Sequence, residues 1–257
     1  MDDDRSKIYI ATVCLDRNRW GNRQPSIAVS DWLTRFQADG FDGVELWEFH
    51  YLAADEAERQ RLIDAAAPLA VYNSYAGFAD EDADARTQAA DAIARLRAKA
   101  AKYNLGPDTA KLDEYRRNLL TWARQVPPSC RLLCECHPGT ALENADDAAT
   151  FFQDLDPKRF GIIAHILGDA DKLQPWLAAF GDRVAHLHVQ MRGAETDPTV
   201  AENRPPYDAC FQLAKSHGFA GSVSIEFSRG IGKNEDTEAI YRNARTDLAY
   251  CREILGC

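Results

Sequence analysis

The chain has 257 residues, close to the ~250 of a barrel built from eight βα units. Hydrophobic residues make up 46% and charged residues 27%, so a core of useful size forms without disulfide or metal staples. Forty acidic against 30 basic residues give a net charge of −10, which argues against DNA or another polyphosphate as the main partner. A small neutral or hydroxylated molecule fits that balance better.

Seven cysteines, an odd number at no framework-like spacing, read as small buried hydrophobes rather than disulfide partners. The N-terminal MDDDRSK is acidic and precedes only a short apolar stretch, unlike a signal peptide, and no apolar run approaches the ~20 residues needed to span a bilayer. The expected compartment is the cytoplasm, with no membrane partner.

Short apolar, β-branched runs alternate with helical patterns along the whole chain. The first run is Ile8 to Leu15, and a helix follows from Ser30, a candidate N-cap, to a C′ glycine at Gly40. Gly43 to Trp47 (GVELW) is the second strand, with a helix from Ala54 to Ala66 before Pro68. Leu69 to Tyr75 is the third, followed by an alanine-rich helix from Asp80 to Ala98. Ala100 to Gly106 reads as a fourth strand or as the tail of that helix, and the alternation favours the strand. A helix from Asp108 to Gln125 stops before Pro127 and Pro128. Cys130 to Cys136 (CRLLCEC) is the fifth strand; RFGIIAHI, RVAHLHVQ and GSVSIEF are the sixth to eighth. Helices between them start near Asn144, Asp169 and Asn203, and the last runs from Glu235 to Ile254. Eight strand–helix units without a linker predict parallel βαβ connections closed into one (β/α)8 TIM barrel over residues 1–257. The longest irregular stretch, Met191 to Pro206, then falls at the C-terminal mouth, where such barrels carry their sites.

The chemistry sits at the strand ends. Alternation puts Leu133, Glu135 and His137 on one face of the fifth strand, and a buried carboxylate there requires a partner. His165 ends the sixth strand. His186, His188 and Gln190 share a face of the seventh, and Glu226 ends the eighth with Ser224 and Ser228 on its face. Four consecutive strands thus end in Glu or His, the residue types that hold Mn²⁺, Zn²⁺, Fe²⁺ or Co²⁺. A local thiolate cluster of Cys134, Cys136 and His137 is the poorer alternative, because His137 points the other way and no second cysteine pair has zinc-site spacing. Glu45, Trp47 and His50 around strand two, with His137, His186 and Arg192, are candidate substrate contacts. Lys102 and Asn104 join them if strand four is placed correctly, and Arg229 could meet an anion. Asp169 caps a helix or serves the site.

GVELW, CECHPGT, the His188 strand and SIEF resemble the sugar isomerase/epimerase superfamily with its xylose-isomerase-like barrel, over essentially the whole chain. The resemblance implies a divalent ion held by Glu135, His165, His188 and Glu226, with His165 standing where that family usually has Asp. It also implies that Glu135 and Glu226 move a proton on opposite faces of a polyhydroxy carbonyl substrate, through an enediolate stabilised by the metal. Two carboxylates and two imidazoles favour Mn²⁺ first, then Zn²⁺, Co²⁺ or Fe²⁺, over Mg²⁺. The expected activity is isomerisation or epimerisation, with elimination by a lyase or dehydratase as runner-up and an inactive sugar-binding barrel as the non-enzymatic reading. An apurinic-site endonuclease, also similar, would need three zincs from a chain with only six histidines, His217 among them. A homo-oligomer is compatible with all of these.

Overall fold

A computed structural model describes residues 5–191, 197–231 and 236–257. Eight parallel strands close into a barrel in sequence order: β1 (Ile8–Ala11), β2 (Gly43–Trp47), β3 (Leu69–Asn73), β4 (Ala100–Tyr103), β5 (Arg131–Glu135), β6 (Phe160–Ile166), β7 (Val184–Gln190) and β8 (Ser222–Phe227). Pairing of Ile8 with Val223 joins β1 to β8 and leaves no strand edge. This is the TIM barrel. Outside it lie α1 (Ser30–Ala38), α2 (Phe49–Leu52), α3 (Glu56–Ile63), α4 (Ala83–Leu96), α5 (Leu112–Gln125), α6 (Ala145–Phe152), α7 (Ala170–Phe180), α8 (Arg204–Ser216) and α9 (Thr237–Leu255).

The fourth strand is real: α4 stops at Leu96 because Arg97 turns left-handed (φ 55°), and the chain re-enters the sheet at Ala100. The first strand is shorter than its apolar run. After Ala11 the chain tightens into a 3₁₀ turn over Thr12–Leu15, whose Val13 and Cys14 carbonyls accept from the Arg19 guanidinium. Ser30 does not cap α1; its backbone N–H and hydroxyl both donate to Glu58 of α3, so the cap comes from a neighbouring helix. Gly40 has φ 98°, the left-handed turn expected after α1. Asn144 and Asp169 cap α6 and α7 with their side chains, which settles Asp169 as a helix cap.

The main hydrophobic core lies between the strands and the helices, whereas Leu133, Ile163 and Ala185 form a separate small cluster, packed with Ala100. At the N-terminal face one guanidinium does much of the fastening. Arg159 donates to the carbonyls of Ala123, Val126, Pro127, Pro128 and Cys130, tying the end of α5 to the starts of β5 and β6. The seven cysteines are free, and six of them are buried. No helix of the described residues is long and apolar enough to cross a membrane.

Candidate active site

Strand ends bring Glu135, His165, His188 and Glu226 together at the C-terminal mouth. One ligand atom from each lies within 4.8 Å of all the others. The sheet register explains this: His165 pairs directly with His188, so their rings project side by side from adjacent strands. A register shift between Val189 and Gln190 separates His188 from Gln190 along β7 and pairs Gln190 with Phe227. Bulges next to sites re-aim side chains in this way. The Gln190 amide then donates to Glu226 Oε2.

The contacts form two layers around His188. Towards the mouth, its Nδ1 lies 3.2 Å from Glu135 Oε1 and 3.2 Å from Glu226 Oε2, while His165 Nε2 lies 3.0 Å from Glu135 Oε1. Towards the barrel interior, His188 Nε2 lies 3.0 Å from Glu45 Oε2. Glu45 also accepts from Asn73 Nδ2 at 2.8 Å and lies 3.3 Å from His186 Nε2. His186 in turn meets the Ser222 and Ser224 hydroxyls at 2.8 and 2.9 Å.

Electrostatics follow from that geometry. Burial opposes charge on His188, but Glu226, Glu45 and Glu135 outweigh it and hold the imidazole well above its usual range. Burial likewise opposes charge on Glu135, yet Lys102, with His165 and His188, keeps its carboxyl well below the usual range. Glu45 is held low against its own burial, chiefly by His188 and His186. Burial pulls His186 down. A place where three carboxylates converge on one imidazole is built for positive charge, and its donors, two carboxylates and two imidazoles, fit a divalent ion.

Above this floor opens a cavity of about 690 Å³, lined among others by Lys102, Asn104, His137, Gln190 and Tyr207. Trp20, Tyr75 and Leu167 also line it and are exposed, forming an apolar rim. Lys102 Nζ reaches Glu135 Oε2 at 2.8 Å and sits 4.3 Å from the centre of the Tyr75 ring. Asn104 Nδ2 donates to the backbone carbonyl and Oε2 of Glu135 at 2.9 and 3.1 Å.

Several expected substrate contacts lie elsewhere. Trp47 is 1% exposed and packs on Phe49 and His50 in the core. His50 is 2% exposed and bridges Asp16 and Thr12, each at 2.9 Å. Glu45 and His186 have no exposed surface and support His188 from behind instead of lining the cavity. Arg229 is engaged with Glu202, the Asp197 carbonyl and Asn243. Ser228 lies past the end of β8 and donates to Asp247 of α9, so it does not share the Glu226 face. Arg192 lies outside the described residues. His137 does line the cavity, while the Cys134 and Cys136 thiols, 3.6 Å apart, are buried away from it.

Trp20 and Tyr75 were not singled out from sequence. Tyr75 closes the third apolar run, a position that could have marked it; Trp20, in the loop after β1, carried no such signal.

A closed eight-stranded barrel with a Glu/His cluster at its C-terminal mouth defines the class of protein. The chain belongs to the xylose isomerase-like TIM barrel family, whose model matches residues 33–250. Similar solved structures include D-psicose 3-epimerase with D-tagatose from Clostridium cellulolyticum H10, at 15% identity and TM-score 0.75, covering 98% of this chain and 100% of that one. The probable 3-DHS dehydratase AsbF from Bacillus anthracis is 17% identical, with TM-score 0.66 and coverage of 95% and 98%. D-allulose 3-epimerase from Methylomonas sp. in complex with D-allulose is 14% identical, with TM-score 0.66 and 97% coverage of both chains. Identities this low establish the common fold. No curated protein matches the chain in sequence.

Proposed function

We propose that the protein is a divalent-metal-dependent isomerase or epimerase of a sugar or related polyhydroxy carbonyl compound. The observation that carries this reading is the convergence of Glu135, His165, His188 and Glu226 within 4.8 Å on the floor of an open cavity, in a chain of this family. These four hold the ion, Mn²⁺ in the first place and Zn²⁺, Co²⁺ or Fe²⁺ as alternatives. When bound, the ion supplies electrophilic stabilisation to oxygens beside the carbon that loses its proton.

The protein supplies the proton transfer. Glu226 and Glu135 stand on neighbouring sides of His188, each with an oxygen 3.2 Å from Nδ1. They differ in one respect: Glu135 is clamped by the Lys102 ammonium, which stabilises its charged form and weakens it as a proton acceptor. Glu226 receives a neutral amide from Gln190 and feels the Lys102 charge only at longer range, whereas Glu135 meets it directly. Glu226 is therefore the group that takes the proton, with Glu135 its partner in returning one. The apolar rim of Trp20, Tyr75 and Leu167 borders the cavity mouth, where a bound substrate would cover it and displace water from the floor.

The test is exchange of carbon-bound hydrogen. Protein reconstituted with Mn²⁺, Co²⁺ or Zn²⁺ is incubated in deuterated water with a panel of ketoses and keto-sugar acids and followed by NMR and mass spectrometry. Deuterium uptake at the carbon beside the carbonyl, with the molecular formula kept, supports the reading. Loss of water with an unsaturated product replaces it with a lyase on the same site. Protein that takes up none of the three ions refutes it.

A further inference from the structure

The cavity has two tiers of opposite chemistry. Its floor is polar, with Glu135, His165, Gln190 and Glu226 at the Glu/His cluster and Lys102 and Asn104 beside it. Its mouth is apolar. Among the described residues only four large hydrophobic side chains are exposed, and three of them, Trp20 (59%), Tyr75 (42%) and Leu167 (46%), line this cavity. Exposed hydrophobics scattered singly are ordinary on a protein surface, but three gathered on one concave wall mark a binding surface. They come from the loops after β1, β3 and β6, so their grouping is a product of the fold and not of sequence neighbourhood.

The loop that carries Trp20 is fastened from within. Asp16, fully buried, accepts from the backbone N–H groups of Asn18 and Ser26 at 2.8 Å each, which ties the start of the loop to its end. His50 Nε2 meets the same carboxylate at 2.9 Å and braces it from α2. Arg19 donates to the Val13 and Cys14 carbonyls, and its guanidinium carbon stands 5.2 Å from the centre of the Trp20 ring. A fixed cation thus backs the indole. The indole also lies 5.9 Å from the ring of Phe227, the residue after Glu226. Tyr75 joins the two tiers: Lys102 Nζ lies 4.3 Å from its ring centre, while the residue is exposed at the mouth. A platform held in this way loses little ordering entropy when a flat group settles on it.

Size agrees with a substrate longer than a simple sugar. The cavity of about 690 Å³ lies in the range that encloses drug-sized ligands. A six-carbon sugar, as six CH₂O units each close to the ~30 Å³ of a water molecule, occupies on the order of 200 Å³. A sugar whose oxygens reach the floor leaves the upper tier unfilled, and hydroxyls turned towards the rim would lose water without gaining a partner. We infer that the substrate carries a flat apolar group, an aryl substituent on a keto sugar or kindred polyhydroxy carbonyl compound, and that Trp20, with Tyr75 and Leu167, selects for it. The inference rests on the metal-site reading above and narrows its substrate class. The polyhydroxy end meets the floor, and the aryl end lies against the rim.

Phenyl β-D-glucoside and methyl β-D-glucoside test this, because they share the sugar and differ in the group offered to the rim. Both are titrated calorimetrically into ion-loaded wild-type protein and into its Trp20→Ala and Trp20→Phe variants. The wild type should bind the phenyl glucoside roughly ten-fold or more tightly than the methyl glucoside, as burial of one aromatic ring on a preformed apolar surface predicts. Trp20→Ala should lose most of that preference with ion stoichiometry unchanged, and Trp20→Phe should keep the greater part of it. Equal affinities, a preference for the methyl glucoside, or no binding of either by the wild-type protein overturns the inference even if a variant misfolds. An undiminished preference in Trp20→Ala does the same. Sedimentation velocity adds one further outcome: a wild-type dimer that Trp20→Ala dissociates makes a second copy of the chain the occupant of the rim, and the inference falls. Ion uptake is measured before either glucoside is added, so its failure is a separate result that refutes the metal-site reading and the substrate class built on it.

Discussion

Glu45 and His188 meet at 3.0 Å, carboxylate oxygen to Nε2, with no part of either side chain exposed. A carboxylate only accepts, so the proton of this bond belongs to Nε2, and an ion held between Glu135 and Glu226 would displace only the proton on Nδ1. Glu45 therefore sets the tautomer that an ion would need, without approaching the ion itself.

Two substitutions separate these roles. His188→Ala should remove most bound metal while the far-UV circular dichroism stays that of a folded barrel. Glu45→Gln should keep the fold and weaken ion affinity by about 10–100-fold, because the glutamine amide can donate to Nε2 and push the ring proton onto Nδ1. Competition titration against a chelator measures both. Unchanged affinity in Glu45→Gln would show that the ring needs no such partner.

His165 gives the site its second imidazole. His165→Asp should retain an ion but shift preference towards Mg²⁺ and Mn²⁺ and away from Zn²⁺, since carboxylate oxygens suit harder cations. Parallel titrations with the three ions read this directly. The same order of affinities before and after the change would mean that His165 is not a ligand.

The glutamates should behave unequally. Glu226→Gln keeps shape and one acceptor oxygen but cannot take a proton. Turnover should fall by more than the ~10²–10⁴ usually assigned to one acid–base group, and hydrogen exchange with solvent should vanish. Glu135→Gln should weaken the ion more and leave measurable exchange in ion-saturated protein. Retained exchange in both variants, with loss on changing His137, would move the base to that histidine on the cavity wall.

A carboxyl away from this cluster predicts a pH effect on stability. Burial lifts Asp247 of α9 from 3.8 to about 6, although the Ser228 hydroxyl, the Ala201 and Val200 backbone N–H groups and Arg229 pull the other way. A folded-state value above the unfolded one means that the native state holds the proton longer. Stability from this group therefore declines as pH rises from about 4 to about 6, and the full penalty persists above that. Asp247→Asn, which can still bond Ser228 and Ala201, should match the wild type near pH 4 and exceed it by about 1–3 kcal/mol above pH 6. Urea denaturation across that window checks it; a gain independent of pH would be evidence against the titration.

The barrel was legible because each strand is a short apolar run bounded by helical periodicity, and Glu135, His165, His188 and Glu226 stood out as polar ends of such runs. Depth was not legible. Alternation puts His186 on the same face as His188, but whether a residue two places earlier opens to the cavity or lies beneath it depends on the tilt and stagger of β7 against β8. Glu45 was misplaced for the same reason. His50 and Trp47 turn on the 3₁₀ segment after β1, whose Thr12 hydroxyl accepts from the Trp47 N–H and meets the His50 ring. Lys102 was conditional on a four-residue strand that resembled the end of a helix.

The staple formed by Arg159 lies at the opposite end of the barrel from the Glu/His cluster. Five carbonyls depend on that one side chain, and none of them belongs to a residue lining the cavity. Tolerance to change is therefore distributed unevenly along the barrel axis. A library randomised at Trp20, Tyr75 and Leu167 should yield mostly soluble, foldable members with altered selectivity, whereas a single change at Arg159 should deplete expression, making the rim the economical place to redirect this scaffold towards new compounds.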